Sequence, residues 1–260
     1  MCGIFGFALA KRASLIGVFR LLEKLEVHQY PNESKPVGGY GAGMAVLMDN
    51  GNLVFEKVGK ISDSPARSLS NLVKVDEATF LVGHVRMPSP QFMKTARFRE
   101  TAQPYVAKCY SDLTVISVHN GNVINYKEIR MKLDKMHTFE SEKVELIDSE
   151  VIPHFFEELL LKKANSAEAL DALFTALEGP NTISLLQIEK NHLLLHIIHK
   201  GRTRGLTVWT NSQKEVVFCS RKEPLIEVFS HMLEMGKFKE EAFIPYNEDV
   251  NLKLSFQLRV

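Results

Sequence analysis

A thiol directly behind the first methionine, followed at once by an apolar run, constrains this chain more than any other feature: Met1-Cys2-Gly3-Ile4-Phe5-Gly6-Phe7-Ala8-Leu9. Cysteine is small enough for an aminopeptidase to remove the methionine before it. Cys2 would then carry a nucleophilic sulfur and a free α-amine on one residue, a nucleophile with its own base and no need of a distant histidine. The run behind it, with Gly3 and Gly6 allowing close backbone approach, predicts a buried strand that fixes this terminus inside the fold. The same residues also suit an ordinary core strand whose cysteine is a small buried hydrophobe.

Charge and length narrow the function class. Lys plus Arg number 32 against 31 Asp plus Glu, so no net field favours nucleic acid or an anionic membrane, and a small polar substrate is expected. The 260 residues, 45% of them hydrophobic, suit a single folded domain spanning residues 1–260. Cys2, Cys109 and Cys219 show no framework spacing, and there is no signal peptide and no apolar run of membrane length. A cytoplasmic protein without disulfides is the expectation.

Leu15, Phe19, Leu22 and Leu25 recur at helical spacing and predict an amphipathic helix over residues 13–28. Residues 30–43, with Pro31, Pro36 and four glycines, predict a loop into a strand at 44–48, and the turn Asp49-Asn50-Gly51-Asn52 returns the chain into a strand at 53–58. Residues 79–86 read as a strand stopped by Pro88 and Pro90, and 115–118 as one closed by His119-Asn120-Gly121-Asn122. Helices are predicted at 126–135, at 149–162 with Pro153 tolerable only in its first turn, and from Asn165 to Gly179-Pro180. Strands follow at 182–188, 192–199, 206–210 and 216–219, with a short helix at 225–233. At the end Leu252, Leu254, Phe256, Leu258 and Val260 alternate toward one face. Strands in both halves with helices between them predict an α+β fold of two largely antiparallel sheets, stacked face to face and covered by helices.

Four positions downstream of Cys2 carry possible chemistry. Asn120 beside Gly121 offers a side-chain amide and a backbone N–H that can aim at one developing oxyanion, though Asn-Gly is also a favoured turn pair. Arg86 can clamp a carboxylate with two parallel bonds, or be a solvated surface charge. Asp148 can bind an ammonium, or cap a helix. His192, His196 and His199 fail a metal test, because on a strand His199 faces away from the other two. The glycines at 38–43 lack the Gly-Lys-Ser/Thr of a phosphate loop.

Met-Cys-Gly-Ile-Phe-Gly at the start, Gly-His-Val-Arg-Met-Pro-Ser at 83–89, His-Asn-Gly-Asn-Val-Ile-Asn-Tyr at 119–126 and Asp-Ser-Glu-Val-Ile at 148–152 together resemble the class II glutamine amidotransferases, in that family's order. Thr-Ala-Gln-Pro-Tyr at 101–105 is similar to the stretch between the arginine and oxyanion motifs of amidophosphoribosyltransferases. The resemblance implies an N-terminal nucleophile hydrolase with a four-layer αββα sandwich. It makes Cys2 the nucleophile, Asn120 and Gly121 the oxyanion hole, Arg86 the clamp for the glutamine carboxylate and Asp148 the ligand of its amine. The family's arginine-glycine is replaced by Gly-Gly-Tyr-Gly-Ala-Gly-Met at 38–44, and residues 142–147 look like an insertion; both bear on the pocket rim.

The function so implied is that of a glutaminase subunit. It hydrolyses the glutamine γ-amide through a Cys2 thioester, with no metal and no organic cofactor, and supplies ammonia to a separate synthase. The four motifs occupy most of the chain and no nucleotide or phosphate site is visible, so the expected partners are glutamine, a synthase subunit or further copies of the chain, with neither nucleic acid nor membrane. Two other readings use the same residues: a stand-alone hydrolase of another γ-glutamyl or amide substrate, and a non-catalytic regulatory homologue.

Overall fold

The computed structural model describes residues 2–48, 50–110, 112–189, 192–230 and 235–258. The expectations for Met1, Asp49, residues 231–233 and Val260 fall outside them.

The apolar N-terminal run forms β1 (Gly3–Ser14), and Ser14 accepts a hydrogen bond from Ile16 N to start α1 (Leu15–Val27). β2 (Gly41–Leu47) and β3 (Leu53–Gly59) form the expected hairpin, followed by α2 (Pro65–Ser70) and β4 (Glu77–Val85). β5 (Tyr105–Ala107), β6 (Leu113–Gly121), α3 (Tyr126–Lys132), α4 (Val151–Lys162) and α5 (Ser166–Ala176) make up the middle. β7 (Asn181–Glu189), β8 (His192–Arg202), β9 (Leu206–Thr210), β10 (Val216–Cys219), α6 (Lys222–Phe229), β11 (Lys239–Ile244) and β12 (Asp249–Leu258) complete it.

The strands build a seven-stranded sheet, β11-β9-β10-β1-β4-β2-β3, and a five-stranded sheet, β12-β8-β7-β6-β5, with antiparallel pairing throughout. Strand alternation sorts the side chains into three apolar layers. Phe5 and Phe7 of β1 pack with Leu21, Leu22, Leu69 and Phe229 of α1, α2 and α6. Ile4 faces the other way, joining Val82, Ile116, Val118 and Leu195 between the sheets. Val115, Ile183 and Leu185 meet Phe156, Leu170 and Leu173 of α4 and α5 on the far side. Helices, sheet, sheet and helices thus form the αββα sandwich. The first half of β1, Gly3–Ala8, is buried on both faces, which is why its sequence reads as a continuous apolar run rather than an alternation.

Several boundaries differ from the sequence expectation. β2 begins at Gly41 rather than 44, because the glycines expected in a loop pair with β3 (Gly41↔Gly59) and β4 (Gly43↔His84). β6 runs through His119-Asn120-Gly121, which pair with residues 181–183 of β7 instead of closing the strand in a turn. The 149–162 helix starts with a 3-10 turn, Asp148–Glu150, which leaves Pro153 in the first turn of α4, where its missing N–H removes no bond. α3 stops at Lys132 and α6 starts earlier, at Lys222. α2, β5 and β11 were not expected. β8 does separate its histidines: His196 packs on Phe156, while His199 turns the other way to Thr182.

Candidate active site

The site is set by two registers and one crossing. Gly3 pairs with Val85, so Cys2 lies beside the end of β4, where Met87 N donates to Cys2 Sγ at 3.3 Å. From the other sheet, β6 brings Asn120, whose Oδ1 accepts from the Cys2 backbone nitrogen at 3.1 Å. The Nδ2 of that amide is buried and has no hydrogen-bond partner among the described residues. Next to it, a Cβ on Gly121 would lie 2.2 Å from the Pro180 carbonyl oxygen, so this strand crossing accepts no side chain.

Arg86 is not the surface charge that its isolation in the sequence allowed; it is 4% exposed. Its guanidinium donates to Thr101 Oγ1 (2.6 Å), Thr95 Oγ1 (2.8 Å) and Thr95 O (3.3 Å). Among the described residues it makes no ion pair. Burial lowers its pKa, with Tyr105, Cys2 and Asp148 opposing.

Asp148, also buried, caps no helix. Its Oδ2 accepts from Val123 N at 3.0 Å, tying the Asp-Ser-Glu turn to the segment just after the Asn-Gly pair. It likewise has no cationic partner among the described residues. Cys2, Arg86, Gly121 and Asp148 line one cavity of about 420 Å³, together with Gln103 and His119. Asn120 does not line the cavity itself; it reaches the site through its contact with Cys2.

A buried polar layer holds these groups in place. Gln103 Oε1 accepts from His119 N (2.6 Å), and its Nε2 donates to His119 O and Ser149 Oγ (both 3.1 Å). Asn181 Nδ2 donates to Gly179 O, so its Oδ1 takes the proton of His119 Nε2 at 2.8 Å, which leaves Nδ1 to accept from Ser149 Oγ at 2.8 Å. Burial lowers the pKa of His119 and favours this neutral form. Glu150 accepts from Glu140 N (2.6 Å) and Ser141 N (2.8 Å), and Glu140 pairs with the buried Lys57 at 2.5 Å.

Thr95, Thr101, Gln103, Ser149 and Glu150 were not singled out as site residues. Thr101 and Gln103 lie in the Thr-Ala-Gln-Pro-Tyr stretch and the last two in the Asp-Ser-Glu motif, so their neighbourhood was marked. Nothing in the sequence around Thr95 marks it.

Comparison with known proteins agrees with this architecture. The family described as a glutamine amidotransferase domain matches residues 93–227, more than half of the chain. The chain belongs to that family, the class II glutamine amidotransferases. It is 24% identical over 257 residues to the glutamine–fructose-6-phosphate aminotransferase (isomerizing) of Sulfurisphaera tokodaii, covering 96% of this chain and 35% of that one. It is 28% identical over 257 residues to the protein of that name from Bacillus cereus, covering 97% and 37%. The chain therefore spans about a third of the length of these curated relatives. Among solved structures, the glutamine phosphoribosylpyrophosphate amidotransferase from B. subtilis, complexed with ADP and GMP, superimposes with a TM-score of 0.61 at 16% identity, over 97% of this chain and 49% of that one; this likeness concerns the fold.

Proposed function

We propose that the chain is a glutaminase with Cys2 as its nucleophile and Arg86, Asn120, Gly121 and Asp148 as its substrate-binding and oxyanion residues. One observation carries the reading. A buried guanidinium without a carboxylate and a buried carboxylate without a cation line the same cavity as a thiol. Unpaired buried charges are costly, and the α-carboxylate and α-ammonium of an amino acid are the complementary pair.

With Met1 removed, the Cys2 thiol passes its proton to its own α-amine, whose ordinary pKa of about 7.7–8.0 suits a base near neutrality. Sulfur attacks the γ-carbon of glutamine, and the carbonyl electrons move to oxygen, which Asn120 Nδ2 and the Gly121 N–H stabilise. Collapse of the tetrahedral adduct expels ammonia, which takes the proton back from the Cys2 ammonium. Water then adds to the γ-glutamyl thioester, giving glutamate and restoring the thiol. In this reading Asn120 serves both ends of the chemistry: its oxygen orients the amine, and its nitrogen, buried and without a partner among the described residues, is the donor left for the oxyanion.

The test is turnover of glutamine to glutamate and ammonia by the purified chain, with Cys2→Ala as the inactive control. Failure of a folded chain with a free Cys2 amine to hydrolyse glutamine would refute the proposal, and faster turnover of another γ-glutamyl compound would make it a hydrolase of that substrate.

The curated relatives carry fructose 6-phosphate in their names and are nearly three times as long. We propose that the present chain likewise serves an acceptor, held on a separate synthase subunit, and that the single domain 1–260 supplies only ammonia. Glutamine turnover should then rise when a co-purifying chain loaded with acceptor is added back. A monodisperse chain with full activity and no partner would count against this.

A further inference from the structure

Away from the cavity, three separate segments bring four metal-binding side chains together. Cys109 follows β5, His137 lies between α3 and the turn at Ser141–Lys143, and His154 and Glu157 stand about one turn apart on α4. One ligand atom of each lies within 4.8 Å of every other. Cys109 Sγ is 3.5 Å from His154 Nδ1, the two Nδ1 atoms are 3.2 Å apart, and His137 Nδ1 is 3.4 Å from Glu157 Oε2. In tetrahedral zinc sites, with Zn–S of about 2.3 Å and Zn–N of about 2.0–2.1 Å, adjacent ligand atoms stand roughly 3.3–3.6 Å apart.

The surroundings are those of an oriented ligand set. Glu157 Oε1 is fixed by Cys109 N (2.8 Å) and Tyr110 N (3.3 Å), which turns Oε2 toward the cluster. His137 Nε2 lies 3.3 Å from Glu158 Oε2, so a carboxylate stands behind the imidazole, although the two do not form a hydrogen bond in this geometry. Phe139 packs on the His154 ring with centroids 4.2 Å apart. His137, His154 and Glu157 are at most 1% exposed, while Cys109 is half-buried and opens the way in. Protons alone satisfy the set poorly. One proton shared by the two Nδ1 atoms leaves the buried Glu157 Oε2 without a donor among the described residues.

We propose that Cys109, His137, His154 and Glu157 form a closed four-ligand site for zinc. Two imidazoles, a thiolate and a carboxylate are a zinc ligand set, and four protein ligands leave no open position for substrate, so the role is structural. The ion would clamp α4 to the end of β5 and to the segment before residue 141. The turn bearing Asp148 runs straight into α4, so the clamp would also steady that wall of the cavity. This departs from the metal-free expectation drawn from the sequence, where only the His154–Glu157 pair is local and Cys109 and His137 are far away along the chain.

The experiment loads the full chain with zinc, dialyses it against metal-free buffer and measures bound metal by mass spectrometry. A parallel sample takes cobalt, whose thiolate charge-transfer band reports a cysteine ligand. Expected are one zinc per chain, a melting temperature that falls when a chelator strips it, and a cobalt–thiolate band that persists in the Cys2→Ala, Cys219→Ala double variant and vanishes in Cys109→Ser. A folded chain that retains only traces of zinc overturns the proposal, as does a band that survives Cys109→Ser and depends on Cys2. Should Cys109→Ser fail to fold, the double variant, in which Cys109 is the remaining thiol, decides the matter.

Discussion

The Cys2 backbone nitrogen and the Asn120 side-chain oxygen are 3.1 Å apart, and this contact joins the seven-stranded sheet to the five-stranded one at the point where the proposed reaction occurs. It also orients the amide: with its oxygen bonded to the Cys2 nitrogen, the amide nitrogen is left buried and, among the described residues, unpartnered. Asn120→Asp should therefore keep an acceptor for Cys2 but lose the proposed oxyanion donor. Its kcat is expected to fall by roughly 10² to 10³, with KM little changed. Arg86→Ala, which removes the proposed ground-state clamp, should chiefly raise KM. Steady-state kinetics on the two variants separates these effects, and the reverse pattern would exchange the roles.

Maturation is the second expectation. Under the proposed mechanism the base exists only if the amine is free, so the active protein is expected to begin at Cys2, and intact mass of the natural protein checks this directly. A dominant species that retains Met1 would leave the thiol without the proposed base, and such protein should not hydrolyse glutamine.

A third concerns the close passage of two backbones. A Cβ on Gly43 would lie 2.1 Å from the Gln103 carbonyl oxygen and 2.8 Å from Lys57 Cβ. Gly43→Ala is expected to destabilise the protein by about 1–3 kcal/mol, read from the denaturant midpoint. It should also lower kcat/KM, because Gln103 sets the position of His119 and Ser149. Unchanged stability would mean that β2 and the 102–104 segment move apart freely.

The fourth is a pH dependence. His196 is buried between Ser255 Oγ (2.8 Å) and Gln187 Oε1 (3.2 Å), and burial holds its pKa down to about 4. The unfolded chain takes up a proton at this residue near pH 6.5 while the folded chain does not. Stability is therefore full above that pH and falls as pH drops toward about 4. One such residue contributes a slope of about 1.4 kcal/mol per pH unit. Urea midpoints across the window should show a shallower slope for His196→Gln than for the native protein; equal slopes would mean that His196 is protonated in the fold. The buried His84, His119 and His199, also lowered by burial, act in the same direction.

The periodic elements were readable because one face or both of each is at least partly buried: α1 by its leucines, β1 by the unbroken apolar run of its first half, β12 by the alternation of the partly buried Leu252, Leu254 and Phe256. β5 and β11 escaped because each is a short edge strand, β5 of three residues and β11 with an exposed, polar first half. The five proposed site residues were named from motifs, but local sequence favoured the blander reading for Arg86, Asp148 and Asn120-Gly121. Burial removes the surface-charge reading of Arg86, which is enclosed by threonines nine and fifteen residues on, and strand pairing removes the turn reading of Asn120-Gly121; both are properties of the fold. The polar layer of Gln103, His119 and Asn181 joins residues far apart in sequence, and no local pattern announces it.

The opposed charges in the cavity have a stereochemical consequence under the proposed roles. A carboxylate on Arg86, an ammonium on Asp148 and a γ-carbon against Cys2 Sγ are three attachments that do not lie on one line. Three such points distinguish mirror images: an enantiomer that seats its carboxylate and its reacting carbon must turn its amine away from Asp148. The chain should thus be selective for one hand of its substrate, and D-glutamine, matching L-glutamine in charge, size and reactivity, should be neither a good substrate nor an effective competitor.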